Sequence, residues 1–383
     1  MPKDINSEEY DAGTKLKLDI LSDYVDEWLQ VVINNFPGTI YLYDFFAGSG
    51  TDSEGSPGSP IIMLNNLIKN CSKITNKNKK IEIVFNDIDK SKIEKLKTKC
   101  QSLIEECAKS KHCHLDSKNH CPNLTLNFHS IDFKILFYDE CEKIHRISNP
   151  YCFMFIDQYG IKGVNIDVFK KLSSLVRTDV LFFTATAHAV RFSKNTDFKK
   201  YLSFDDDFEW AEKTHRELCN HYASFIPAES SFHVAPFSIK KNDTGMIYGL
   251  IFGSNHLYGI EKFLSVAWKK DKHTGEANYD IDDDDIRPDD LTLFDDLYKP
   301  KKLDRFKKNL MEHLYDERTN KEIYEFTVLN GFLPTHTNQI LKDMEKDKKL
   351  IIRTVDENAR KGAYYINHND DERIRIKYEY HKD

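Results

Sequence analysis

The chain has 383 residues, 40% of them hydrophobic, and a net charge of -7 with a pI near 6.1. This length and apolar content suit two domains with a real core and exclude global disorder, and the acidic balance opposes duplex binding by the whole surface, leaving only a local basic patch. No run of about 18 apolar residues exists, the start M-P-K-D-I-N-S-E-E-Y is unlike a secretory signal, and eight cysteines then read as reduced thiols of a cytoplasmic protein with no membrane partner.

Taken in order, Leu16, Ile20, Leu21, Tyr24, Trp28, Leu29 and Val32 recur at helical spacing over residues 14–34, and Lys15 and Lys17 at its start are expected to be solvated. Ile40 to Phe46 is β-branched and aromatic with one acid, Asp44, as in a buried parallel strand. Ala47-Gly48-Ser49-Gly50 follows at once, so the backbone there can approach a ligand closely. The loop lacks the Lys-Ser/Thr pair of a P-loop and the third glycine of the dinucleotide fingerprint. It resembles the D-x-F-x-G-x-G loop of class I S-adenosylmethionine-dependent methyltransferases. That resemblance implies cofactor contacts from Asp44, Phe46, Ala47, Gly48 and Gly50. Pro60 then opens a helix over 61–68, and the lysine-rich stretch 69–80 reads as a loop.

A strand at 81–85 ends in Asn86-Asp87-Ile88-Asp89. Asp87 is placed for ribose hydroxyls, with Asp89 as the alternative or as the cap of the helix from Lys90 to Lys109. Cys107, His112, Cys113, His114, Asp116, His120 and Cys121 crowd the next stretch. They lack C-x2-C and H-x3-H pairs, so the reading is a surface insertion over about 107–123, and no metal site is assigned. A strand at 124–128 leads to Asp132, which either bonds the adenine amino group or caps a helix. The apolar run 151–156 is a central strand ending in Asp157-Gln158-Tyr159-Gly160. Amino methyltransferases carry a similar tetrapeptide, which implies that Asp157 accepts hydrogen bonds from a substrate amine and Tyr159 stacks on its ring. Gln158 stands where that pattern has proline, a rigidifying residue, and is counted with them as a catalytic candidate. The alternative is an ordinary turn with Asp157 as a cap.

A fifth strand covers 180–184, with His188 near its end either touching substrate or packed. A helix over 208–225 and two antiparallel strands, 232–239 and 246–252, finish the sheet, followed by a helix at 259–269. Residues 270–292 are acidic and read as a solvated segment without calcium-loop spacing. Helices at 303–314, 320–329 and 334–347 and a hairpin built from K-K-L-I-I-R-T-V and G-A-Y-Y-I-N describe a winged helix. Thr335, His336, Thr337, Asn338 and Gln339 start its third helix, which either reads DNA or docks protein.

The fold class is therefore α/β: a doubly wound, Rossmann-like methyltransferase sheet ending in an antiparallel hairpin, plus a C-terminal winged-helix-like module. The expected domains are 1–270, an acidic linker 271–297, and 298–383. T-K-L-K-L-D-I-L-S-D-Y-V-D-E-W, D-F-F-A-G-S-G with E-G-S-P-G-S-P, F-I-D-Q-Y-G, Y-G-L-I-F-G-S-N-H and V-L-N-G-F-L-P-T-H-T-N-Q-I-L-K-D-M-E recur in order. With these segments the chain resembles the three-Cys-motif partner (TcmP) family. The resemblance implies a radical-S-adenosylmethionine-like partner protein that carries the three cysteines. Two functions follow as expectations. One is an S-adenosylmethionine-dependent methyltransferase acting on an exocyclic amine of RNA or DNA. The other is a non-catalytic binding partner in a two-gene, anti-phage type of system.

Overall fold

Strands β1 (Thr39–Asp44), β2 (Lys80–Asn86), β3 (Leu124–His129), β4 (Tyr151–Ile156) and β5 (Thr178–Thr184) are mostly β-branched and aromatic. They pair in parallel. The hairpin β6 (His233–Lys240) and β7 (Ile247–Ser254) completes a seven-stranded sheet of order β3-β2-β1-β4-β5-β7-β6, in which β7 is antiparallel to both neighbours. This is the doubly wound sheet with a terminal hairpin that the strand spacing implies. The computed structural model describes residues 8–111, 121–158, 160, 162–186, 214–241, 246–287, 300–354, 356, 358, 366–369 and 372–379. The chain divides into two compact units, Met1–His256 and Leu257–Asp383. In the first, β1 and β4 are buried along all but their first residue, as strands covered on both faces must be. Chain order reverses between β1 and β4, which puts the ligand crevice of such sheets at their carboxyl ends.

Helices cover both faces. On one lies α1 (Ala12–Asn35), opened by Asp11, whose side chain accepts from the Thr14 N–H at 2.9 Å. Tyr24 packs 5.5 Å from Phe153 and 4.6 Å from Phe252, and Trp28 lies 5.8 Å from Phe153, ring to ring. Next to α1 packs α2 (Ser59–Lys69), and next to that α4 (Lys90–Lys111). Between them is α3 (Cys71–Asn76), a short helix where the sequence reads as a loop. Its lysine, Lys73, and the following Lys77 are exposed and mask the one buried anchor, Ile74. On the opposite face Tyr43, Phe45, Met154, Ile156 and Phe182 pack with α5 (Phe133–Arg146), α6 (Ile166–Ser173) and α7 (Thr214–Ala223) through Phe137, Phe169 and Tyr222. Residues 208–213 of the expected helix lie outside the described residues. No described helix is long and apolar enough to cross a membrane.

The second unit begins with α8 (Leu257–Lys270). Sequence spacing assigns this helix to the sheet domain, yet its side chains pack here. Trp268 Nε1 donates to the Gly331 carbonyl at 3.1 Å, and Glu261 accepts from Tyr324 OH at 2.9 Å. The acidic stretch that follows is not simply solvated. Asp271, at 2% exposure, accepts backbone N–H groups of His273, Thr274, Glu276 and Ala277. Lys301 donates to the carbonyls of Asp282 and Asp283, and Arg305 pairs with Asp282 at 3.3 Å. Hydrogen bonds and an ion pair from the next helix thus tie this stretch down, a contact that local composition does not display. Helices α9 (Lys301–His313), α10 (Asn320–Leu329) and α11 (Pro334–Lys346) carry a small antiparallel sheet of order β8-β10-β9, from β8 (Arg318–Thr319), β9 (Leu350–Thr354) and β10 (Ile374–Tyr378). The described partner of β9 is β10 rather than G-A-Y-Y-I-N, most of which lies outside the described residues. β10 carries the alternating I-R-I-K-Y pattern, buried at Ile374, Ile376 and Tyr378.

A capping box opens α10. Thr319 Oγ1 accepts from Glu322 N at 3.2 Å, and Glu322 Oε2 accepts from Thr319 N at 2.7 Å. Removing such a cap costs about 1 kcal/mol, or roughly fivefold in an opening equilibrium. Thr319→Ala should therefore speed amide exchange in peptides covering 319–329 by about that factor. Unchanged exchange there would show the cap to be idle.

Candidate active site

β1 delivers Asp44 to the carboxyl edge of the sheet, fully buried. Its Oδ1 accepts from Phe46 N at 3.2 Å, while Oδ2 makes no hydrogen bond. Burial pushes this carboxyl up to about 7, against the pull of the nearby Ser59 hydroxyl and the Phe46 N–H. The charges of Asp157 and Asp87 push the same way, so carboxylates from three strand ends converge. The turn beyond is left-handed at Gly48 (φ +61°) and Gly50 (φ +88°). A Cβ at Gly50 would stand 2.8 Å from Leu96 Cδ1 and displace that side chain, while the left-handed backbone itself favours glycine. Asp87 binds this turn, its Oδ2 accepting from Gly48 N at 3.1 Å and its Oδ1 from Asp89 N at 2.8 Å. Ala47 N donates to Asn86 O at 2.8 Å, and Phe46 leans on Phe133 with ring centres 5.0 Å apart. The insertion after Gly50 is tied down: Gly58 N donates to Gly50 O at 2.7 Å, and Asp52 gathers the N–H groups of Tyr10, Glu54 and Ser56.

Two sequence candidates at this edge act as caps. Asp89 accepts from Ser91 N, and Asp132 accepts from Lys134 N at 2.8 Å and Ile135 N at 3.4 Å as the N-cap of α5. Asp132 keeps its side chain at the exposed rim while doing so. Ile88, next to Asp87 in sequence, is an apolar side chain that stands 72% exposed. A cation with hydroxyls and a flat apolar ring fits this donor set. The lone Asp44 oxygen suits positive charge, the carboxylate of Asp87 suits hydroxyls, and Ile88 suits the ring.

At the end of β4, Asp157 forms an ion pair with Lys17 of α1. The lysine is not solvated. It is 7% exposed, and its ammonium also lies 4.8 Å from the centre of the Phe183 ring. Helical register carries the reason, because positions 17, 21, 24 and 28 form one stripe and the other three are core residues. Gln158 turns its amide to backbone. It is 2% exposed; its Nε2 donates to Phe183 O at 3.0 Å, and its Oε1 accepts from Gly163 N at 2.6 Å and Val164 N at 2.9 Å. The amide thus rigidifies the turn by hydrogen bonds where proline would do so covalently. A Cβ on Gly163 would meet Gln158 Oε1 at 2.7 Å, which explains that glycine. Tyr159 and His188 lie outside the described residues.

Asp157, Lys17 and Phe183 border an open cavity of about 340 Å³, lined also by Tyr248 of β7 and by the start of α1. Phe183 and Tyr248 stack with centres 5.1 Å apart at 24°. Glu9 and Asp11 at its rim are paired with Lys15 and Lys241. Sequence reading missed Lys17, Phe183 and Tyr248; only the helical register pointed to the first.

Elsewhere, Cys107 and Cys121 line a small apolar cavity with Cys71, and no group of three or more His, Cys, Asp or Glu residues suited to a metal occurs among the described residues. His112, Cys113, His114, Asp116 and His120 lie outside them. In α11 only part of the expected face is outward. Thr337 is buried against Thr327 at 2.8 Å, and His336 packs on Trp268 with Nδ1 accepting from Leu333 N at 3.2 Å. Burial, then the charge of Lys302, pulls the His336 imidazole down to about 4, so it stays neutral. Thr335 and Gln339 are exposed, in line with Lys342 and Lys346.

A family profile described as the GMT-like wHTH domain, a winged helix-turn-helix, matches residues 278–357. No curated protein matches the chain. Among solved structures, it is similar to Trm1 from Pyrococcus horikoshii, solved in complex with S-adenosyl-L-methionine, at 11% identity and a TM-score of 0.35. That likeness covers 68% of this chain and 62% of Trm1, less than two thirds of its length. A candidate O-methyltransferase from Klebsiella pneumoniae matches at 10% identity and a TM-score of 0.29, over 64% of this chain and 91% of that one. A candidate sarcosine dimethylglycine methyltransferase from Galdieria sulphuraria matches at 11% and 0.25, over 66% and 94%.

Gln158→Ala strands two backbone donors and one acceptor in a buried turn. Each such group costs about 1 to 3 kcal/mol, so the midpoint of thermal unfolding should fall by several degrees. An unchanged midpoint would show that the turn holds without the amide.

Proposed function

We propose that this chain is an S-adenosylmethionine-dependent methyltransferase that acts on an exocyclic amine of nucleic acid. The observation that carries the reading is the convergence of Asp44, Asp87 and Asp157 at the strand ends, with a buried Asp44 oxygen left unbonded. Such an arrangement opposes ionisation of Asp44 unless a cation settles beside it. Asp44 and the backbone of Ala47, Gly48 and Gly50 hold the cationic end of the cofactor, and Asp87 with Ile88 holds its nucleoside. When bound, S-adenosylmethionine supplies an electrophilic methyl group on a sulfonium. Asp157 accepts an N–H of the substrate amine, which frees the nitrogen lone pair from the ring. Gln158 fixes the turn on which Asp157 sits, so the amine is held at one angle. The proton lost from the methylated amine leaves through the open cavity to water. A radical-S-adenosylmethionine-like partner protein is proposed on the sequence resemblance alone. The Lys17–Asp157 ion pair favours a second reading, a binding partner that keeps the fold without transferring methyl groups.

The buried acid makes the test sensitive to pH. A bound cation favours the ionised form of Asp44, whose free-state value is about 7. Binding therefore releases a proton below that pH, and affinity rises as the pH passes upward through it. Calorimetric titration with S-adenosylmethionine should show this rise, and Asp44→Asn should weaken binding by about tenfold and flatten the profile. No binding by the folded protein would refute the enzyme reading. Binding without labelled-methyl transfer to RNA or DNA would leave the second reading standing.

A further inference from the structure

We infer that Lys17 and Asp157 act as one reading unit for a nucleobase, recognising an exocyclic amine together with the ring nitrogen beside it; this rests on the function proposed above. A buried ion pair is weak evidence of stabilisation, since removing charges from water offsets their attraction. This pair also lines an open cavity instead of sealing a core. Its ammonium has three donors and its carboxylate about four lone-pair sites, so each partner keeps capacity after bonding the other. Side by side they present a donor next to an acceptor. That is the couple by which an asparagine or glutamine carboxamide reads adenine in a bidentate contact.

The cavity supplies the rest. Phe183 and Tyr248 stack on each other, with the Lys17 ammonium 4.8 Å from the centre of the first ring and the Lys241 ammonium 5.8 Å from that of the second, and both rings border the cavity. A base entering the cavity turns one edge to the pair. Asp157 accepts from the amine, and Lys17 donates to the neighbouring ring nitrogen. Adenine offers this edge as N6 and N1, cytosine as N4 and N3, and guanine as N2 and N3. Bases without an exocyclic amine lack it. Lys17 is a substrate-contacting residue in this account, and it fixes which atom of the base faces Asp157.

Matched nucleosides test the inference without turnover. The full chain, saturated with S-adenosylhomocysteine, is titrated by NMR with adenosine and 1-deazaadenosine, cytidine and 3-deazacytidine, and guanosine and 3-deazaguanosine. Each deaza analogue keeps the amine and loses the ring nitrogen. The wild type should prefer the natural member of at least one pair by about tenfold or more. Lys17→Met should bring that ratio to about one, and Lys17→Arg, which keeps a donor, should retain most of it. Equal binding of both members of every pair overturns the inference, as does a preference that survives in Lys17→Met or a wild type that binds no nucleoside. These outcomes leave the methyltransferase reading intact if S-adenosylhomocysteine binds. Failure of that cofactor to bind counts against the methyltransferase, and the nucleoside ratios are then read without it. Should Lys17→Met fail to fold, the wild-type ratios decide the matter alone.

Discussion

A carboxylate at the end of the central strand, buried with one oxygen unbonded, is the constraint on which the first unit's active edge depends. Asp44 occupies the last position of β1, and the sheet gives it no freedom to leave. Its value of about 7 in the fold, against an ordinary 3.8, means the folded chain holds a proton that the unfolded chain releases between those pH values. Stability therefore falls as pH rises across that window, by an amount on the order of a few kcal/mol. Whole domains are stable by only about 5 to 15 kcal/mol. A penalty of that size in the middle of a sheet is the kind of local conflict that binding explains and packing does not.

The surrounding devices fix backbone around the acid. Asp87 pins the Gly48 turn to the end of β2, and Gly58 closes the insertion back onto Gly50. Gln158 does for the β4 turn what proline does in similar tetrapeptides, by three hydrogen bonds to buried backbone instead of by a ring. The departure from proline is therefore a change in how rigidity is achieved. It carries no information about whether the acid beside it is used.

Much of the fold was legible because it is periodic. Continuous apolar runs marked β1 and β4, and glycine marked the turn after β1. The hairpin of β6 and β7 is visible as two strand-like stretches on either side of the turn K-K-N-D-T-G. Three features escaped for physical reasons. The helix α3 is anchored by a single buried residue, Ile74, among exposed lysines, so no stripe is visible. The run 271–287 is stabilised by Lys301 and Arg305, which lie beyond it in sequence, and by the buried carboxylates of Asp271 and Asp282. Lys17 looked like a surface lysine by type although its register placed it on the buried face with Leu21, Tyr24 and Trp28. In each case a partner distant along the chain overrides local composition. At the winged helix the same logic ran in reverse, since the polar residues His336 and Thr337 are spent on a cap and an internal contact and only Thr335 and Gln339 remain outward.

The two acids at the ends of β1 and β4 resolve the same problem in opposite ways. Asp157 has its countercharge in the fold, and the cavity beside it is open, so water and ligand can share the pair without stranding either ion. Asp44 has no cation of its own, and its neighbouring charges are of the same sign. Charge balance at Asp157 is therefore independent of any ligand, whereas at Asp44 only a proton or a bound cation supplies it. That asymmetry separates the roles the strand ends can play. The β4 end is balanced as it stands and can meet a neutral polar edge, whereas the β1 end is left with a charge to be balanced.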